Sequence, residues 1–130
     1  MQDYLSEQQK EVLEANRAFY SAFEKLSLAK MKECWEHSPD VVCIHPQQPG
    51  LTGFEAIMDS WVGIFASTSY MEIDVQDPVI MAGMDLAVVH CVESMMAVAG
   101  GQTNRGQIRA TNVFRKIDDS WKMILHHAGP

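Results

Sequence analysis

The sequence predicts an α+β fold, with N-terminal helices packed on a mostly antiparallel sheet. Three observations carry that expectation. Apolar residues recur at helical spacing through about residue 65. After Thr68 the pattern changes to alternation over long runs. Short turns rich in Gly or Asp separate those runs. Helices followed by a meander of strands give a layered α+β domain, whereas a parallel sheet needs alternating strands and helices.

The elements follow in order. Ser6-Glu7-Gln8-Gln9 is a capping box, with Ser6 as N-cap and Gln9 reaching back. Val12, Asn16, Phe19, Tyr20, Phe23 and Leu26 follow at helical spacing, so a long amphipathic helix is predicted over 7–26. Ser27 caps a second, shorter helix that buries Leu28, Met31 and Trp35, and Pro39 ends it. Val41-Val42-Cys43-Ile44-His45 is a short β-rich run stopped by Pro46, and Pro49-Gly50 turns the chain. Thr52-Gly53-Phe54-Glu55 reads as a second capping box, opening a third helix whose stripe is Phe54, Ile57, Met58, Trp61, Ile64 and Phe65.

Strands are expected over 70–81, 85–99, 107–117 and 121–128, joined by turns at 83–84, 100–106 and 118–120. No repeat, low-complexity run or linker interrupts residues 1–130, so one domain is expected. The strand over 85–99 is apolar on both faces: Leu86, Val88 and Val92 on one, Ala87, Val89, Cys91 and Met95 on the other. The helices cover only one face. A homodimer through the other face is the economical cover.

The balance of 17 acidic against 10 basic residues gives a net charge of −7, which disfavours nucleic acid as a partner. The start Met1-Gln2-Asp3-Tyr4-Leu5-Ser6-Glu7 shows no signal peptide, and no apolar run approaches the ~20 residues that cross a bilayer. Cys34, Cys43 and Cys91 are odd in number and lack Cys-x-x-Cys spacing, so reduced thiols and a cytoplasmic location are expected. The nine methionines point to an adaptable apolar interior.

On this order of elements the chain resembles the SnoaL-like group of the nuclear transport factor 2-like (cystatin-like) superfamily. The resemblance spans essentially the whole chain. Its most specific parts are Phe19-Tyr20-Ser21-Ala22-Phe23, Asp40-Val41-Val42-Cys43-Ile44-His45-Pro46, Leu51-Thr52-Gly53-Phe54-Glu55-Ala56-Ile57, and the hairpin Val113-Phe114-Arg115-Lys116 to Trp121-Lys122-Met123-Ile124. The C-terminal half also resembles the association domain of calcium/calmodulin-dependent kinase II. The resemblance implies a cone, with the sheet wrapped around the long helix and a pocket between them. It implies no single activity, since such folds host isomerases, cyclases, hydrolases and non-catalytic modules.

Within that frame His45 is a candidate general base, because the ketosteroid isomerases of this fold place an Asp-Pro where His45-Pro46 stands. A histidine titrates near neutrality without much tuning. The plainer alternative is a histidine that fixes the strand-to-loop turn. The isomerase tyrosine of the first helix falls at Phe19, with Tyr20 on a different face, and its late-strand acid falls near Thr111 or Asn112. Phe19 offers no donor to an oxyanion, so steroid isomerisation is disfavoured.

Glu93 sits mid-strand among apolar neighbours, sharing a face with Cys91 and Met95. Burial would raise its pKa and suit it to acid catalysis; an ion pair with Arg109 on the next strand is the alternative. In the kinase association domain the positions of Glu93 and Asn112 carry arginines, which suit a carboxylate, so this chain should prefer a neutral or cationic organic ligand. A three-residue turn at 118–120 pairs Asn112 with His126 and Phe114 with Ile124; a two-residue turn shifts the register and separates them. His126 and His127 point to opposite faces and cannot chelate together, so no metal or cofactor site is expected. Trp35 and Trp61 lie on apolar stripes, with Trp61 as the pocket wall.

The candidate set is therefore His45 and Glu93 as catalytic groups, with Trp61, Asn112, His126 and Arg109 as ligand-binding groups. The leading expectation is a homodimer with an internal small-molecule pocket. The alternatives are an acid–base isomerase, cyclase or dehydratase with His45 as base, and a non-catalytic oligomerisation module.

Overall fold

A computed structural model describes residues 5–129; residues 1–4, part of the segment read for a leader, lie outside them. Helix α1 spans Glu7–Glu24 and starts at the predicted capping box, with the Ser6 side chain accepting from the Gln9 amide and the Gln9 side chain returning the bond. It ends two residues before the predicted limit, because Leu26 takes a left-handed φ of 53°. Ser27 caps α2, Leu28–Cys34. That helix stops at Trp35, not Pro39: Trp35 is extended and forms a parallel bridge to Met123.

Strand β1, Val42–Ile44, pairs antiparallel with the two-residue β2, Leu51–Thr52. Helix α3, Phe54–Ser67, follows. Its N-cap is Gly53, with φ 98° and no side-chain cap, so the expected Thr52 capping box does not form. Thr52 is instead held in the sheet opposite Val42. Only glycine adopts that φ without strain, and it aims the Gly53 N–H at Val41 O, 2.8 Å away.

The long strands are β3, Tyr70–Ala82; β4, Leu86–Ala99; β5, Gln102–Ile117; and β6, Ser120–Gly129. They join β1 and β2 in one six-stranded, curved, unclosed sheet of order β2-β1-β6-β5-β4-β3, with β1 parallel to β6 and all other pairs antiparallel. The α+β expectation stands. Strand β5 starts five residues earlier than predicted. Gly100 and Gly101, with φ of 59° and 75°, make a two-residue turn, and 102–106 belong to the ladder. Such φ pairs match the strand twist of tight hairpins.

The last hairpin also turns in two residues, Asp118 and Asp119, with φ of 50° and 66°. A register shift lies between Val113 and Phe114: Phe114 pairs with Met123, Val113 with Leu125, and Ile124 is the extra residue. The expected Phe114–Ile124 pair is therefore replaced, while Asn112 does pair with His126. The core lies between the helices and the concave face, where Phe19, Met31, Ile57, Trp61, Val89 and Phe114 are fully buried.

Candidate functional site

Among the described residues, four polar side chains are buried in that core: Asn16 from α1, Glu93 from β4, Asn112 from β5 and His126 from β6. Each strand delivers its residue by alternation. Cys91 and Glu93 point inward from β4, Ala110, Asn112 and Phe114 from β5, and Met123, His126 and Ala128 from β6. The Ile124 bulge selects His126 over His127. Without it, the two-residue turn would place Leu125 opposite Asn112 and turn His127 inward.

The buried groups form one hydrogen-bonded chain. The Asn112 Nδ2 group donates to Asn16 Oδ1 at 2.9 Å and to the Tyr20 hydroxyl at 3.1 Å. Tyr20 donates to Glu93 Oε2 at 2.6 Å, with Cys91 Sγ at 3.5 Å. The Asn112 Oδ1 atom lies 2.6 Å from His126 Nδ1. A carbonyl oxygen only accepts, so Nδ1 carries the proton of neutral His126. Its Nε2 is left bare, 4.0 Å from Glu93 Oε2.

Burial sets the protonation states. Desolvation pushes the Glu93 carboxyl up to about 7, against the opposing Tyr20 hydrogen bond. It drives His126 down to about 3, aided by His45 and His127. Tyr20 is raised by burial and by Glu93, so it remains a phenol. Cys43 is pushed up to about 12 by burial, which leaves a thiol and no nucleophile.

His45 is half-buried where β1 ends. Its Nε2 lies 2.9 Å from Ser60 Oγ, which gives its own proton to Ile57 O at 2.6 Å. Ser60 therefore accepts, His45 Nε2–H donates, and Nδ1, 4.0 Å from Cys43 Sγ, is the basic atom. Burial lowers the His45 pKa, so that base is unprotonated at neutral pH. The bond also ties β1 to α3, so the turn-fixing role and the basic atom coexist. Trp61 bridges the two histidines, its ring centroid 4.9 Å from His45 and 6.4 Å from His126.

Five of the six candidates thus form one cluster. It is not the open cavity expected: Phe19, Phe23 and Phe65 pack around Trp61 at 5.8, 4.8 and 5.6 Å. A concavity of about 900 Å³ lies elsewhere, lined by Glu24, Glu72, Asp74 and Arg105 among others. Arg109 does not belong to the cluster. It pairs with Val92 and Gly129, is exposed on the outer face, and shares a shallow recess with Thr111 and His127. The Glu93–Arg109 ion pair is therefore not made; Glu93 sits opposite Ile108 and bonds Tyr20.

Tyr20 is a further correction. It is expected on a different face from Phe19, yet both are buried and their rings meet edge-on at 4.8 Å. The first helix thus supplies an inward hydroxyl. Asn16 and Tyr20 stand four residues apart on the buried stripe, a signal present in the sequence. Among the described residues no cluster of three or more His, Cys, Asp or Glu side chains is placed to hold a metal ion, and no helix is long and apolar enough to cross a membrane.

Comparison with known proteins places this geometry. A candidate dehydratase of the nuclear transport factor 2-like family from Streptomyces avermitilis superposes with a TM-score of 0.89 and 29% identity, over 95% of this chain and 96% of that one. A candidate calcium/calmodulin-dependent protein kinase type II association domain from Thiobacillus denitrificans gives 0.75 and 34%, over 89% and 91%. The F-box protein SKIP8 of Arabidopsis thaliana is 25% identical over 117 residues, 90% of this chain and 48% of that protein. The chain therefore spans about half the length of that curated relative. The SnoaL-like domain model matches residues 12–129, and on that match the chain belongs to the SnoaL-like domain family.

Proposed function

We propose that the protein binds an uncharged small organic molecule against the Glu93–Tyr20–Asn112–His126 chain and carries out proton transfer on it. One observation carries this reading: Glu93 is 1% exposed, its carboxyl is held near neutrality, and its hydrogen-bond partner is a phenol, not a cation. A carboxyl in such a place costs stability, and a role toward a ligand supplies the reason for its presence. Environments that keep one group a neutral acid and another a neutral base mark an acid–base pair. Glu93 is the acid and His45 Nδ1 the base.

The likeness to the candidate dehydratase favours elimination of water. His45 takes a proton from the carbon next to a carbonyl, and that electron pair forms the new double bond. The carbon–oxygen bond breaks, and the departing hydroxyl takes the Glu93 proton and leaves as water. The Tyr20 hydroxyl and Asn112 hold the carboxyl in place.

Ligand-dependent melting tests this directly, with uncharged hydroxy-carbonyl compounds compared with carboxylates and amines in wild type and in Glu93→Gln. Uncharged compounds should stabilise wild type, carboxylates should not, and the variant should lose the preference. Arg109→Ala should change nothing. Carboxylates stabilising wild type better than uncharged compounds would overturn the reading.

A second reading, that the chain is a homo-oligomerisation module, draws on the outer face and on the likeness to the association domain. Met81, Val88, Val113, Leu125 and Val42 pair in register across five strands as one apolar outer row. Met81 is 58% exposed and Leu86 49%. We propose that this row is the face of a homodimer. Val88→Glu, in the middle of that row between Met81 and Val113, should weaken the dimer, since an unpaired charge at an interface costs several kcal/mol. Sedimentation equilibrium at micromolar concentration reads the outcome, and a wild-type monomer of 14.6 kDa would exclude the dimer.

A further inference from the structure

Two buried donors have no hydrogen-bond partner among the described residues: Trp35 Nε1 and Trp61 Nε1. A buried orphan N–H is rare and forfeits the free energy of its lost hydration. The two tryptophans occupy different surroundings. Trp35 closes α2 and bridges Met123 in the structural core. Trp61 stands between the rings of His45 and His126, neither of which takes its indole N–H, and it is flanked by Phe19, Phe23 and Phe65.

We infer that the Trp61 indole N–H is the donor that fixes the ligand, holding a carbonyl oxygen or ring nitrogen of an uncharged, flat aromatic compound. The inference rests on the small-molecule reading above and adds what that molecule must carry. An indole N–H donates and never accepts, so the ligand atom it meets is an acceptor. The phenyl rings around it offer edges and faces suited to a flat apolar body. The nearby ring nitrogens are acceptors, which makes Trp61 the donor on this side of the cluster. A net negative ligand would meet no cation there. Phe65 is the half-buried member of the three, so a ligand would reach the indole past it.

The test uses acetophenone and its isostere α-methylstyrene, which differ by a carbonyl oxygen in place of a methylene carbon. Indole N–H signals are followed in nitrogen–proton correlation spectra of the full chain and assigned with Trp35→Phe, Trp61→Phe and Trp121→Phe. Trp121 is an internal reference, because its Nε1 already donates to Glu11 at 3.2 Å. In wild type, acetophenone should move the Trp61 indole proton downfield. It should bind about three- to tenfold more tightly than α-methylstyrene, as one neutral hydrogen bond warrants. Trp61→Phe should abolish that ratio, and Trp35→Phe should keep it.

Equal binding of the two probes with an unmoved Trp61 signal overturns the role of Trp61 and leaves the pocket reading standing. Acetophenone at millimolar concentration disturbing no residue of the cluster overturns both. Should Trp61→Phe fail to fold, the wild-type comparison and the Trp61 signal decide alone.

Discussion

Replacing Glu93 with glutamine should make the protein progressively more stable than wild type as pH rises, by about 3 kcal/mol between pH 4 and pH 8. The folded carboxyl titrates at about 7 against an ordinary value of 4.5. The folded state therefore holds a proton that the unfolded chain has released. The stability tied to that proton is fully present below 4.5, declines through the window, and is gone above about 7. Glutamine keeps the shape and never ionises. Any cost of its extra amide donor shifts the whole curve and leaves the slope difference intact.

His126 works in the opposite direction. Its folded pKa of about 3 lies below the ordinary 6.5, so its contribution is present above 6.5 and lost as pH falls towards 3. His45 is lowered as well and adds to the same slope. Between 4.5 and 6.5 the Glu93 and His126 slopes offset each other, and wild type should show only the rise due to His45. The Glu93→Gln variant should instead gain stability from pH 4 to 6.5. Urea unfolding at a series of pH values reads both curves. Parallel curves for the two proteins would mean that Glu93 titrates alike in the folded and unfolded chain.

Asn112→Leu should lose about 3–5 kcal/mol, because Asn112 is the hub of the buried chain. It satisfies Asn16 Oδ1, the Tyr20 oxygen and His126 Nδ1 at once. Leucine keeps the branched shape, is bulkier, and satisfies none of them. Each stranded polar group costs about 1–3 kcal/mol when buried. Phe114→Tyr on the same face is not a substitute test, since it adds volume to a packed core. Denaturant unfolding at pH 7 measures the loss, and a change below 1 kcal/mol would mean that the network is not held together through residue 112.

The helices, the strand types and the α+β class were legible because each rests on a local pattern: the Ser6 box, the stripe from Val12 to Phe23, the alternation from Leu86 to Val92. Boundaries were less so. The Thr52 box matched a helix start, yet the sheet claimed that residue and left the cap to Gly53. The buried chain was half legible. Alternation aimed Glu93 and Asn112 inward, but Tyr20 was assigned to another face although it lies four residues after Asn16. Arg109 was judged by proximity to Glu93, when its place one residue before inward-facing Ala110 already turned it outward. The Asn112–His126 pair was expected from a three-residue turn and arises instead from a two-residue turn plus a bulge. Two errors of one residue offset each other.

That bulge makes the last strand locally frustrated. Trp121, Met123 and Leu125 alternate, and an unbulged ladder would bury all three; the chain instead spends one residue to bury His126. The competing register is better matched in hydrophobicity and differs from the native one by a single slip. Sequence selection for packing alone would have taken it. The native register is the one that makes the short His126–Asn112 bond and seats β1 against Leu125, His126 and His127, so the polar pair is one of the contacts that hold the strand alignment. A chain that gave up this pair would not merely weaken its interior. It would gain a second, nearly degenerate native state, with His127 inside and the family of contacts around Trp61 rebuilt on leucine.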